Sequence, residues 1–189
     1  MKTDCLPTAE YQASNEIDDL NVANEQNDMV EKLIHKFFHF DNSDMSGKIV
    51  AYLNLLFNDI VRFIGKDFTP LNPLMKSEYM TNYCVTQKDE GLLSFNSGID
   101  MSKSVAIAFA SRYAKEEFHE FDEYVKASIE DFLNLHNGLF NVNMSNEFSL
   151  ELNLCPPEVH EEETLTNATK IYVFPIIFPF GTIHFLMEI

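Results

Sequence analysis

The chain has 189 residues, 46% of them hydrophobic and 13% aromatic, with thirteen Lys and Arg against thirty Asp and Glu for a formal net charge of -17. That apolar content excludes a wholly disordered polymer, and the length suits one core with a tail. The charge argues against nucleic acid and anionic membrane as partners, since both select Lys and Arg clusters; it would steer the chain toward cationic patches on another protein.

In chain order, residues 1–28 read as an acidic, Asn-rich mobile tail: eight acidic residues and one Lys precede Lys32. Val30, Leu33, Ile34, Phe37 and Phe38 recur at helical spacing, which predicts a short amphipathic docking helix and linker over 29–46. The main domain is expected over 47–189. It begins with a helix from Gly47 to Ile64, striped by Val50, Leu53, Phe57, Ile60, Val61 and Ile64 and stopped by Gly65. A Pro-rich turn at 69–73 leads to a strand at 78–86, a connection at 88–91 and a strand at 91–99. Asp100 or Ser102 opens a second helix to about Glu117, and a third runs from about Asp122 to Asn143. Strand alternation follows at Phe148, Leu150, Leu152 and Leu154, ended by Pro156 and Pro157. An acidic loop over 158–166 and two strands, near 170–178 and 181–189 with Pro179 between them, close the chain. Helices and strands that do not alternate strictly predict an α+β fold, mainly an antiparallel sheet packed against long helices.

Cys5, Cys84 and Cys155 are odd in number and far apart, which argues against a disulfide framework and a zinc ribbon. The start lacks the apolar core of a signal peptide, and the apolar C-terminal run is broken by Pro175, Pro179 and Gly181, so a cytoplasmic location is expected. His35 and His39 have metal-ligand spacing but no Glu between them, and no Gly-rich phosphate loop is present, so no metal or cofactor of the chain's own is expected.

The third helix carries the signal. Val125, Ile129, Phe132, His136, Leu139 and Phe140 make a face to be buried, with His136 expected as a core histidine bonded to backbone. A second face carries Ala127, Asp131, Asn134, Gly138 and Asn141 at spacings of four, three, four and three. A solvated face would carry Glu, Lys and Gln. Asn is a poor helix former and Gly costs about 1 kcal/mol against Ala. The row makes a surface of low relief, with one carboxylate and one carboxamide projecting, that another protein's backbone can approach.

Asp131-x2-Asn134-x3-Gly138, followed after a strand by Leu154-Cys155-Pro156-Pro157-Glu158-Val159, resembles the CheX member of the CheC/CheX/FliY chemotaxis phosphatase family over about 47–189. The resemblance implies a phosphatase that hydrolyses the aspartyl-phosphate of a CheY-type receiver domain, the response-regulator half of two-component signalling. It places Asn134 at the attacking water and Asp131 against the receiver's lysine, as the catalytic pair. Ala127, Gly138 and Asn141 fall on the binding face. It also implies Mg²⁺ on the partner receiver and a homodimer. Phosphoryl transfer needs positioning more than covalent help, so an amide can serve.

Two residues depart from the family pattern. The family acid is Glu, and Asp131 is one methylene shorter; Glu130 is rotated about 100° around the helix and is no substitute. Family members often carry Ser or Asp where this chain has Ala127. A catalytically weak or inactive binding or dimerisation module of the same fold is therefore the alternative, and an unrelated α+β interaction domain a third.

Overall fold

The computed structural model describes residues 43–91 and 94–188, together with Asp28 and Lys32. The tail expected over 1–28 and the docking helix with His35, His39 and Phe37 lie outside that stretch. Residues 43–46, expected as linker, instead begin helix α1, Ser43–Asp59. A π turn, Ile60–Ile64, continues it and stops at Gly65, whose φ of 138° suits only glycine. Tyr52, Leu53, Leu56, Phe57 and Ile60 are buried while Val50 and Val61 are half-buried, so the buried stripe is rotated slightly from the expected one.

Eight strands follow: β1 (Thr69–Pro70), β2 (Leu74–Met80), β3 (Tyr83–Gly91), β4 (Phe95–Met101), β5 (Leu152–Leu154), β6 (Glu158–Glu161), β7 (Thr164–Phe178) and β8 (Gly181–Glu188). Helices α2 (Lys103–Ala114) and α3 (Glu123–Phe148) lie between β4 and β5. Every pairing is antiparallel, in the order β1-β7-β8-β4-β3-β5. Two further pairings, β2 with β7 and β6 with β3, join the two ends of that ladder and curl the sheet onto itself. The fold is α+β, as expected.

Side chains alternate across each strand and sort into two apolar layers. Tyr83 and Val85 of β3 join the large core beneath the helices, with Ile99, Ile183, Phe185, Ile129 and Phe132. Cys84 points the other way, into a smaller cluster with Tyr79, Ile171, Val173 and Leu186. Helix α2 packs on α3 through Phe109 and Phe132, edge to face with ring centres 5.1 Å apart. Such a pair adds about 1 kcal/mol to the roughly 2 kcal/mol gained by burying each ring. Gly181, at φ 140°, closes the β7–β8 turn with Pro179 at its tip; a Cβ there would collide with Val105 Cγ2.

Several boundaries differ from those the sequence predicts. The strand expected at 78–86 is two strands broken at Thr81 and Asn82, and 88–91 continues β3 instead of turning. Helix α3 runs past Asn143 to Phe148, since Met144 is fully buried, and Ser149 in the left-handed region caps it. Strand β5 therefore starts only at Leu152. The acidic stretch at 158–166 is not a loop: Glu158–Glu161 pairs with β3, and Thr164 opens β7. Its backbone bonds outweigh its polar composition.

Candidate functional site

Asp122 opens α3 by accepting from the backbone N–H groups of Tyr124 and Val125, and so fixes the helix register above β3 and β4. Val125, Ile129, Phe132, His136 and Phe140 are buried, while Ala127, Asp131 and Asn134 are exposed and Gly138 is half-buried. Four of the five singled-out residues thus lie on one outward row. Asn141 turns inward: its Nδ2 donates to Asp89 Oδ1 at 2.6 Å, and it is half-buried.

Each polar residue of the row is held by a residue distant in sequence. Asp131 Oδ2 accepts from the Tyr113 hydroxyl at 2.6 Å. Burial, and then this carboxylate beside it, push the Tyr113 phenol above its ordinary range, so it stays a donor. Asn134 Oδ1 accepts from Gln87 Nε2 at 2.9 Å, and the same nitrogen donates to the carbonyl of Cys155 at 2.9 Å. The Asn134 amide is thereby tied to the segment that Pro156 and Pro157 terminate. Gln87 Oε1 accepts from Asn137 Nδ2, and Asn137 Oδ1 accepts from Tyr52. Ser97 Oγ contacts both ends of the Asn137 amide.

Asp89 lies under the far end of the row. It is fully buried, and burial pushes its carboxyl up to about 6, the Asn141 bond opposing. His136 is a core residue, as expected, but its Nδ1 pairs with Asp59 Oδ2 at 2.8 Å and not with backbone. Among the described residues no cluster of three or more His, Cys, Asp or Glu side chains is arranged to hold a metal, and no helix is long and apolar enough to cross a membrane.

A Cβ at Gly138 would meet no atom within 4 Å. Among the described residues nothing requires glycine there. The chemistry on offer is an exposed amide and carboxylate one turn apart, both braced, beside a backbone left bare.

To Asp131 and Asn134, which the sequence singled out, the structure adds Gln87, Asp89, Asn137 and Tyr113 as neighbours that the sequence did not. The signal was the alternation Tyr83, Val85, Gln87, Asp89. Continued three residues past Thr86, it places two polar side chains, Gln87 and Asp89, on the buried face of β3.

The curled antiparallel sheet and the three helices of the described residues have the CheX/CheC-like fold. Solved structures with this fold include a CheC-like superfamily protein from Shewanella sp. PV-4 (16% identity, 78% of this chain and 97% of that one, TM-score 0.65) and the chemotaxis protein CheX of Desulfovibrio desulfuricans (14%, 75% and 97%, 0.63). A third is CheX of Borrelia burgdorferi in a CheX-CheY-BeF3-Mg²⁺ complex (18%, 75% and 96%, 0.62). No protein-family model matches the sequence, and no curated protein matches it.

Proposed function

We propose that this chain is a CheX-like protein that docks α3 on a CheY-type receiver domain and hydrolyses its aspartyl-phosphate. The observation that carries the reading is the braced Asn134 amide, exposed beside Asp131 and Gly138, on a fold whose solved examples include a CheX-CheY complex. Asn134 holds a water in line with the phosphorus. The water oxygen bonds to phosphorus as the acyl-phosphate P–O bond breaks; the aspartate leaves as carboxylate, and the water proton passes to the phosphate released. Asp131 pairs with the receiver's lysine; Mg²⁺ bound to the receiver would supply charge neutralisation at the phosphoryl oxygens. The barrier falls chiefly by positioning. The same reading includes a homodimer.

The alternative, a receiver-binding module with little catalysis, draws on one contact. The short Asp131 side chain already spends one oxygen on Tyr113, which leaves the other for a partner's lysine.

The test is phosphate release from a phosphorylated CheY-type receiver with Mg²⁺. Wild type should accelerate it, Asn134→Ala should lose the acceleration by about 100-fold or more while still binding, and Asp131→Glu should match or exceed wild type. Unchanged turnover in Asn134→Ala removes the mechanism. Binding without acceleration by wild type favours the module.

A further inference from the structure

We propose that Gln87 is a positioning residue that fixes which end of the Asn134 amide faces outward, and that this end is the nitrogen. An amide side chain can place either its oxygen or its nitrogen outward, and the two ends do opposite chemistry. Here the choice is set by a group that cannot reverse. The carbonyl oxygen of Cys155 only accepts, and it is anchored because Cys155 N donates to Lys88 O at 2.9 Å. Gln87 is 1% exposed, and the end it turns to that carbonyl must be its NH₂. The second hydrogen of that NH₂ points at Asn134, so Asn134 must answer with Oδ1. A flipped Asn134 would set two NH₂ groups against each other.

The far end of Gln87 agrees independently. Its Oε1 requires a donor and meets Asn137 Nδ2 at 3.0 Å; Asn137 is fully buried. Asn137 Oδ1 in turn takes the hydroxyl of Tyr52 at 2.9 Å. Asp89, Asn141 and His136 each leave a buried polar atom without a partner, whereas no atom of Gln87, Asn137, Tyr52 or Ser97 does so. Reversing any one member forces the next to reverse, and the series ends on a main-chain carbonyl. The relay runs from α1 through α3 and β3 to the Cys155 segment.

The consequence is that Asn134 meets a partner with Nδ2 outward, as two N–H donors. A donor grips a water by its oxygen, or a phosphoryl group by its oxygens; it cannot accept a proton. The side chain is ordered before docking, so its rotamer entropy is not lost at that step. What Nδ2 grips rests on the function proposed above. The orientation and its cause do not.

The experiment is ¹⁵N relaxation of side-chain NH₂ groups in the full chain. In wild type the Asn134 NH₂ should be ordered, near the 0.85 or so of rigid backbone, while that of Asn146, exposed on the same helix, should be mobile. Equal mobility of the two overturns the proposal in wild type alone, whatever the variants do. In Gln87→Leu the Asn134 order should fall below about 0.6. Turnover of a phosphorylated CheY-type receiver should fall about 10-fold to 100-fold in kcat with little change in KM. Gln87→Glu, which turns an acceptor on Asn134, should draw the Asn134 NH₂ inward and lower kcat as well. A folded Gln87→Leu that keeps both the Asn134 order and kcat overturns the assignment. If wild type orders Asn134, Gln87→Leu releases it and wild type accelerates nothing, the positioning stands and the phosphatase reading falls.

Discussion

Asp89 shows how one side chain ties the site to the pH of its surroundings. It sits under α3 with one oxygen on Asn141 and the other, buried, without a partner. Burial raises its carboxyl from the ordinary 3.8 to about 6. A carboxyl raised in the folded state favours folding while protonated. Its charge is tolerated in the unfolded chain from about pH 4 but in the folded chain only near 6, so this group's contribution falls as pH rises through that window. Asp89→Asn removes the charge. The stability of the variant relative to wild type should therefore rise between about pH 4 and 6, read from urea midpoints across the range; a constant difference would mean that Asp89 does not titrate there. The residue was invisible in the sequence for the same reason as Gln87. Both fall just beyond the expected end of a strand, and the partners that give them meaning, Asn141 and Asn134, lie about fifty positions away. Asp131 and Asn134 were legible because a helix brings residues three and four apart onto one face without help from the rest of the chain.

At the scale of one element, α3 serves two surfaces. Its inner face is set by the size of Phe132, His136 and Phe140, and its outer face by what is missing. Helix propensity alone would place almost any residue but glycine at 138, at a gain of up to about 1 kcal/mol, and the site has room, since nothing lies within 4 Å of a Cβ there. Gly138→Ala should raise the melting temperature. On the proposed function it should also raise KM for a phosphorylated receiver, because the added methyl keeps the partner's backbone away. A higher melting temperature with unchanged KM would show that docking avoids this turn of the helix. The helices and the last two strands were readable from period and from Gly65, Asp122 and Pro179. The strands at 158–166 were not, because Glu158, His160 and Glu161 give no apolar alternation. Their order comes from pairing with residues 83–86 and 78–80, contacts between segments some seventy to ninety positions apart.

For the whole molecule, the curl of the sheet decides which edges remain. Joining β2 to β7 and β6 to β3 removes two of them, but the outer side of β2 has no partner strand among the described residues. Residues 74–78 of that strand are exposed on both faces, and Leu74, Met75 and Met80 add apolar surface beside its open backbone. An unprotected apolar edge is a template for another strand, and a second copy of β2, antiparallel about a two-fold axis, would satisfy it. Against this stands the charge of -17 on each chain, which repels a second copy at low salt. Salt screens that repulsion and leaves backbone bonds and apolar burial nearly intact. The expected homodimer should therefore tighten as salt rises, opposite to an interface built on ion pairs. Light scattering over a concentration series should show the mass moving from 21.8 kDa toward twice that value, at lower protein concentration in 0.5 M than in 0.05 M NaCl, about a tenfold range over which the Debye length falls roughly threefold. Met75→Lys on the edge should return the monomer. A mass that stays at one chain throughout would leave β2 a free edge, and the homodimer implied by the resemblance would not transfer to this protein.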